Sequence, residues 1–170
     1  MTTPSAPITT TLQAIRDHGP CEDGWKKLIK HLGGVNRVDM NAQLPLDTVL
    51  TSNGLTDTIW CCRALDADTR KRLLCLWLAD VLEHAAAKHP NTWLTDAVTL
   101  IREYQAGRAT REAVRIFQLA AADAAAYAAY AATAHAADAD AAVAYAVNAA
   151  AAAMRAWQTE RLGQYLRGEV

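Results

Sequence analysis

The stretch Asp66-ADTRKRLLCLWLADVLEHAAAKHPNTWLTDAVTLIREYQA-Gly107 sets the class of fold. Leu73, Leu74, Trp77, Val81, Leu82 and Ala85 recur at helical spacing, and Cys75, Leu76 and Leu78 widen that apolar face. Asp66 or Asp68 can cap this helix, which extends to about Lys88, where Pro90 stops it for want of an N–H. A helix apolar over so much of its circumference is expected to be central. Asn91 then caps a helix from Thr92 to Gln105, with Trp93, Leu94, Ala97, Val98, Ile101 and Tyr104 on its apolar side, and Gly107 closes it.

Toward the N-terminus the same grammar repeats. Met1 to Thr11 is rich in Thr, Ser and Pro, so residues 1–10 are expected to be a flexible tail. A short helix follows from about Thr11 to Asp17, with a threonine cap and Gly19 as terminator. Pro20 opens a second helix in which Trp25, Leu28, Ile29 and Leu32 stand at i, i+3, i+4 and i+7, before Gly33-Gly34 ends it. Residues 35–45 form a polar connection. Leu46 to Ser52 supplies one or two helical turns, halted at Asn53-Gly54, a pair that favours positive φ. A further helix from Leu55 to Leu65 is expected to turn Leu55, Ile59 and Cys62 inward, with Trp60 adjoining that face.

Toward the C-terminus the chain becomes alanine-rich from Ala120 to Ala153, relieved by residues such as Tyr127, Tyr130 and Tyr145. A single rod from Thr110 onward would approach roughly 85 Å, too long for one compact domain of this size. A break at Ala134 to Asp140 is therefore expected, with Asp138 capping the returning helix. The predicted architecture is all-α: residues 11–107 a helical bundle and 110–168 an alanine-rich helical hairpin, within one domain over 11–170. Met154, Trp157, Leu162, Tyr165 and Leu166 restore a large apolar stripe that can anchor the hairpin. Alanine faces let helices approach closely, so self-association through them is an expected contact.

With 17 basic and 18 acidic residues, the formal charge of -1 lacks the basic excess of a duplex-DNA reader. Lys26, Lys27 and Lys30 lie opposite the apolar stripe of their helix, as a solvated face should. Direct nucleic-acid binding is not expected. No basic segment followed by an apolar core opens the chain, and tyrosines and Asn148 interrupt the longest uncharged run, so a cytoplasmic protein without membrane insertion is expected.

Cys21, Cys61, Cys62 and Cys75 form no CxxC pair and fall within apolar helical patterns, which reads as structural burial in a reducing compartment. His18 and Cys21 are separated by Gly19-Pro20, Cys61 and Cys62 point to different helix faces, and His84 and His89 diverge, so no metal site is expected. The histidines are expected at the surface. No nucleophile stands beside a base in a recognisable pattern, and neither a phosphate loop nor a nucleotide fingerprint occurs. The expectation is a non-enzymatic protein without a cofactor.

Two blocks stand out together. One is Cys21-Glu-Asp-Gly-Trp-Lys-Lys-Leu-Ile-Lys-His-Leu-Gly33; the other runs from Leu46 to Ala64 and contains Ser52-Asn-Gly-Leu-Thr-Asp57-Thr-Ile-Trp60. With the Ala/Asp/Tyr-rich end, they resemble a family of phage and prophage proteins of unassigned activity, some of them named as immunity proteins. The resemblance implies a mobile-element origin. From it follows an expected role as an inhibitor of a host defence system, anti-CRISPR-like, that occupies a surface of a Cas or other defence complex. An immunity protein neutralising a toxin is the alternative, and a small-ligand sensor using the space beneath Trp60 and Trp77 is a third. The expected contact residues are Asn53, Asp57, Trp60 and Arg63, grouped around a conspicuous turn between two helices. The competing explanation for them is local: Asn53 and Asp57 would only cap and terminate helices, and Trp60 would fill the core.

Overall fold

A computed structural model of the chain describes residues 6–88, 92–115 and 141–170, with side chains throughout except at 88 and 141–151. The elements are β1 (Thr9–Thr11), α1 (Leu12–Asp17), α2 (Glu22–His31), β2 (Gln43–Pro45), α3 (Leu46–Asn53), α4 (Leu55–Cys61), a 3₁₀ turn (Cys62–Ala64), α5 (Ala67–Lys88), α6 (Thr92–Gln105) and α7 (Ala141–Arg167). Residues 111–115 are also helical, opened by Thr110, whose hydroxyl accepts from Ala113 N–H at 3.1 Å. The described chain is thus mostly helical, as expected. Its contacts group into two compact units, Met1–Leu73 with Ala156–Val170, and Leu74–Arg155.

The first unit corrects the expected N-terminal tail. Thr9–Thr11 pairs antiparallel with Gln43–Pro45, Thr10 lying opposite Leu44. Ile8 N–H donates to Leu166 O at 2.8 Å, and Ile8 O accepts from Leu46 N–H at 3.0 Å. Thr10 is buried and satisfies its hydroxyl on Ala64 O at 3.1 Å, because a polar atom taken from water needs a replacement partner. The stretch 35–45 is correspondingly not all loop, and Leu44 within β2 is buried.

Around this ribbon the helices follow local chemistry. Thr11 caps α1, its side chain accepting from Ala14 N–H at 3.1 Å. α2 starts at Glu22 with Cys21 at its cap position, two residues later than the expected opening at Pro20. Gly54, at φ +91, separates α3 from α4, accepting from Thr58 N–H and from the Thr58 hydroxyl at 2.8 Å. On α4 the buried residues are Thr58 and Cys61, with Cys62 just beyond, whereas Leu55 and Ile59 are half-buried. The inward face is therefore rotated from the expected one, and the self-bonded Thr58 hydroxyl is what lets a polar residue occupy it.

Ile15, Leu46, Val49, Leu162 and Leu166 form the fully buried centre of this unit. Burial of each such side chain contributes on the order of 1.5–3 kcal/mol. Gly163 leaves room for the Arg167 guanidinium, since a Cβ there would stand 2.7 Å from Arg167 Nη1, while a Leu50 methyl lies at ordinary contact distance. Arg167 ties the end of α7 to Asp47 in the first turn of α3 at 3.1 Å.

In the second unit Cys75, Ala79 and Ile101 are buried, with Leu78, Leu82, Tyr104 and Val114 packed against them. Leu74, Trp77 and Val81, expected as the core face of α5, are half-buried. Arg102 bonds Glu83 on the surface, and Arg108 bonds Glu103 at 2.6 Å. α6 has the expected bounds. Among the described residues no helix is long and apolar enough to cross a membrane. Residues 1–5, the Pro90 stop, the Asn91 cap, most of the first alanine-rich arm and the expected break at 134–140 lie outside the described residues.

Leu162→Ala, at a fully buried position, is expected to destabilise the chain by about 2–5 kcal/mol in urea unfolding. Val35→Ala, at a residue 75% exposed, is expected to change stability by less than about 0.5 kcal/mol.

Candidate functional site

The two blocks singled out in the sequence meet in space. α2 carries Gly24 and Trp25 in its first turn, and the turn between α3 and α4 carries Asn53 and Asp57. The Asn53 amide nitrogen donates to Gly24 O at 2.9 Å and to Asp57 Oδ2 at 2.8 Å, while its oxygen accepts from the Ser52 hydroxyl at 2.6 Å. One side chain thereby joins two helices and orients a carboxylate.

Gly24 makes this approach possible. A Cβ at that position would stand 2.9 Å from Asp57 Oδ2 and 3.0 Å from Cys21 Sγ, closer than such atoms pack. A pocket of about 150 Å³ lies at this contact, with Gly24, Asn53 and Asp57 in its lining. Trp25 and Trp60, both half-buried, border it, as do Cys21, Asn53, Asp57 and Cys61. Ile15, Leu28 and Val49 contribute apolar lining from the core.

Three of the four expected contact residues, Asn53, Asp57 and Trp60, line this one pocket. Arg63 does not line it; its exposed guanidinium lies 5.3 Å from the Trp60 ring centroid, a cation–π distance. Asn53 offers its side chain to Gly24 and Asp57 and gives α4 no side-chain cap. Trp60 borders the pocket from a half-buried position. Trp77 is not among the lining residues; the second indole is that of Trp25. Sequence inspection assigned Trp25 to the apolar stripe of α2 and so missed it, together with Gly24, Cys21 and Cys61.

Cysteine placement also differs in one case. Cys61, Cys62 and Cys75 are buried as expected, but Cys21 is exposed at the head of α2. Burial pushes the Cys61 thiol up to about 12, helped by Cys62, Asp57 and Cys21 nearby. Burial likewise pushes Cys62 up to about 11, against the opposing charge of Arg70. At neutral pH these two are inert thiols. His18 and His31 are exposed and His84 is half-buried, while His89 and His135 lie outside the described residues. Among the described residues no three His, Cys, Asp or Glu side chains gather as metal ligands would.

A second, wider concavity of about 710 Å³ also has Trp25 in its lining, with Arg16, Lys26, Ile29, Lys30 and Val35. Lys26 is shared with Glu22 at 2.5 Å, an exposed pair of the kind that contributes little. Compared with known proteins, the chain matches no family model, no curated protein and no solved structure.

Asn53→Asp is expected to destabilise the chain more than Asn53→Ala at pH 7, because it sets a second carboxylate against Asp57 Oδ2, where the amide now donates at 2.8 Å. Repulsion raises the folded-state pKa of the introduced acid above its unfolded value, so the excess cost is relieved as pH falls through that folded pKa. Urea unfolding of both variants from pH 7 to pH 4 measures it; a difference independent of pH contradicts the bridging geometry.

Thiol labelling of the native chain at pH 8 is expected to modify Cys21 rapidly and Cys61, Cys62 and Cys75 only after unfolding. Since the folded pKa of Cys61 is raised from 9.0 to about 12, the unfolded chain loses that proton first. Stability is expected to fall as pH rises across this window.

Proposed function

We propose that this chain is a non-enzymatic binding protein that occupies a surface of a host defence complex, with the Trp25–Trp60 pocket as its point of engagement. The observation that carries the binding role is the pocket itself. Two indoles, a fixed carboxylate and a fixed amide converge on a small concavity held between two helices. Sites of this composition, largely apolar with a few oriented polar groups, suit recognition, and aromatic side chains dominate the energetics of contact surfaces. The defence complex as target is supported by the resemblance to phage and prophage proteins, whose more specific block, Ser52 to Trp60, supplies Asn53, Asp57 and Trp60 to the pocket.

The partner surface would insert a side chain between the indoles while Arg63 contributes at the rim. Cytoplasm of the host cell is the proposed setting. The alanine-rich stretch, read from sequence as a helical hairpin beside a bundle, is the proposed contact with a second copy of the chain. Neutralisation of a toxin is the alternative use of the same pocket. Sensing a small molecule is a further one, favoured by a pocket volume of about 150 Å³, which suits a molecule of few heavy atoms.

Expression of the chain in cells carrying an active CRISPR-type or other defence system, challenged with a phage that the system restricts, is expected to restore infection. Trp60→Ala is expected to abolish the restoration while the chain stays folded. Restriction left intact in every system tried contradicts the inhibitor role, and rescue of cells from a co-expressed toxin replaces it with the immunity role.

A further inference from the structure

We infer that the pocket between Trp25 and Trp60 recognises an organic ammonium group on a short apolar stem, the chemistry of a lysine side chain or of a small free alkylamine. The inference rests on the proposal that this pocket is the point of engagement, and it specifies what enters. Asp57 is the one formally charged side chain among the lining residues. Its Oδ2 accepts from Asn53 at 2.8 Å, and among the described residues nothing bonds Oδ1. One carboxylate oxygen is thus pinned and the other is available.

Three classes of occupant can be weighed against that geometry. An anion would meet the Asp57 charge at short range in a weakly solvated space. A wholly apolar group would strip water from Oδ1 and return no hydrogen bond, at a desolvation cost. An ammonium supplies the missing donor, while its alkyl stem packs on the indoles and its charge meets their π-faces. Trp60 already faces a cation in this way, the exposed Arg63 guanidinium 5.3 Å from its ring centroid. Arg63 itself is exposed and outside the lining.

The same geometry separates ammonium from guanidinium. A guanidinium binds a carboxylate best through both oxygens at once, whereas an ammonium is a point donor that needs only one. Oδ2 already accepts from Asn53, so a donor that needs only Oδ1 fits Asp57 with less rearrangement than one that must engage both oxygens. Size agrees: a cavity of about 150 Å³ matches those that hold a six-carbon ring, enough for a four-carbon stem and its head. The Cys61 thiol, its ionisation pushed up by burial, adds no competing charge at neutral pH.

The test is an NMR titration of the full chain, following the indole N–H signals of Trp25 and Trp60, each assigned from a Trp→Phe variant. The probes are lysine blocked at both ends, its Nε-acetylated counterpart, arginine blocked at both ends, and n-butylammonium. The ammonium probes are expected to shift both indole signals saturably. Acetylation of the probe, or Asp57→Asn in the protein, is expected to weaken binding by about tenfold or more. Asp57→Asn keeps an oxygen for the Asn53 bond, so a preserved amide spectrum separates lost binding from lost folding. Tighter binding of blocked lysine than of n-butylammonium assigns the site to a partner's lysine, and binding of n-butylammonium alone assigns it to a free amine. The inference is overturned if the acetylated or arginine probe binds as tightly as blocked lysine, if Asp57→Asn binds undiminished, or if no ammonium probe shifts either indole. Failure to restore infection in a defence assay would remove the proposed target and leave this titration unaffected.

Discussion

The Asn53 side-chain amide is the contact on which the arrangement of the site depends. Its two donated bonds, to the backbone oxygen of Gly24 on α2, 29 residues away in sequence, and to a carboxylate of α4, fix the approach of those two helices. Neither bond adds much net stability, since each replaces a bond to water. What they add is direction. The amide sets the position of Asp57, and the missing side chain at Gly24 leaves room for Asp57 to sit there. A half-buried polar network of this kind specifies one arrangement where apolar packing alone would accept several.

That network stands on a core assembled from both ends of the chain. Leu162 and Leu166 reach the same buried centre as Ile15, Leu46 and Val49, and the backbone of Ile8 links Leu166 to Leu46. Ile15 and Val49 also line the pocket, so the packed centre of the unit is the floor of the site. A pocket with such a floor is largely preformed, and binding to it need not be paid for by ordering a loop. The inert thiols of Cys61 and Cys62, held protonated by burial, belong to the same packing.

Much of the helical pattern was written in local chemistry. The Thr11 cap, the Asn53-Gly54 stop and the Asp66 cap each follow from residues within a turn of the boundary. The strands were not readable in this way. Thr9–Thr11 and Gln43–Pro45 are three residues each, too short for alternation to show, and they exist because each supplies the other's hydrogen bonds across 34 residues. The face of α4 was misread because a buried threonine carries no apolar signal; its hydroxyl is satisfied within its own helix. Of the site, Asn53, Asp57 and Trp60 could be picked out around a turn, while Trp25 was hidden inside an apolar stripe. A stripe shows which residues leave water, and it does not separate those that pack from those that border a cavity. The glycine one residue before Trp25, inside a helix where it costs stability, was the available signal.

Site-specific photo-crosslinking in cells with an active defence system would show which surface meets the partner. A photoreactive residue at Thr56, exposed and at the edge of the pocket, is predicted to yield one discrete adduct with a subunit of the defence complex. The same residue at Thr99, exposed on α6, is predicted to yield none. An adduct from Thr99 with nothing captured from Thr56 would contradict the pocket as the point of engagement.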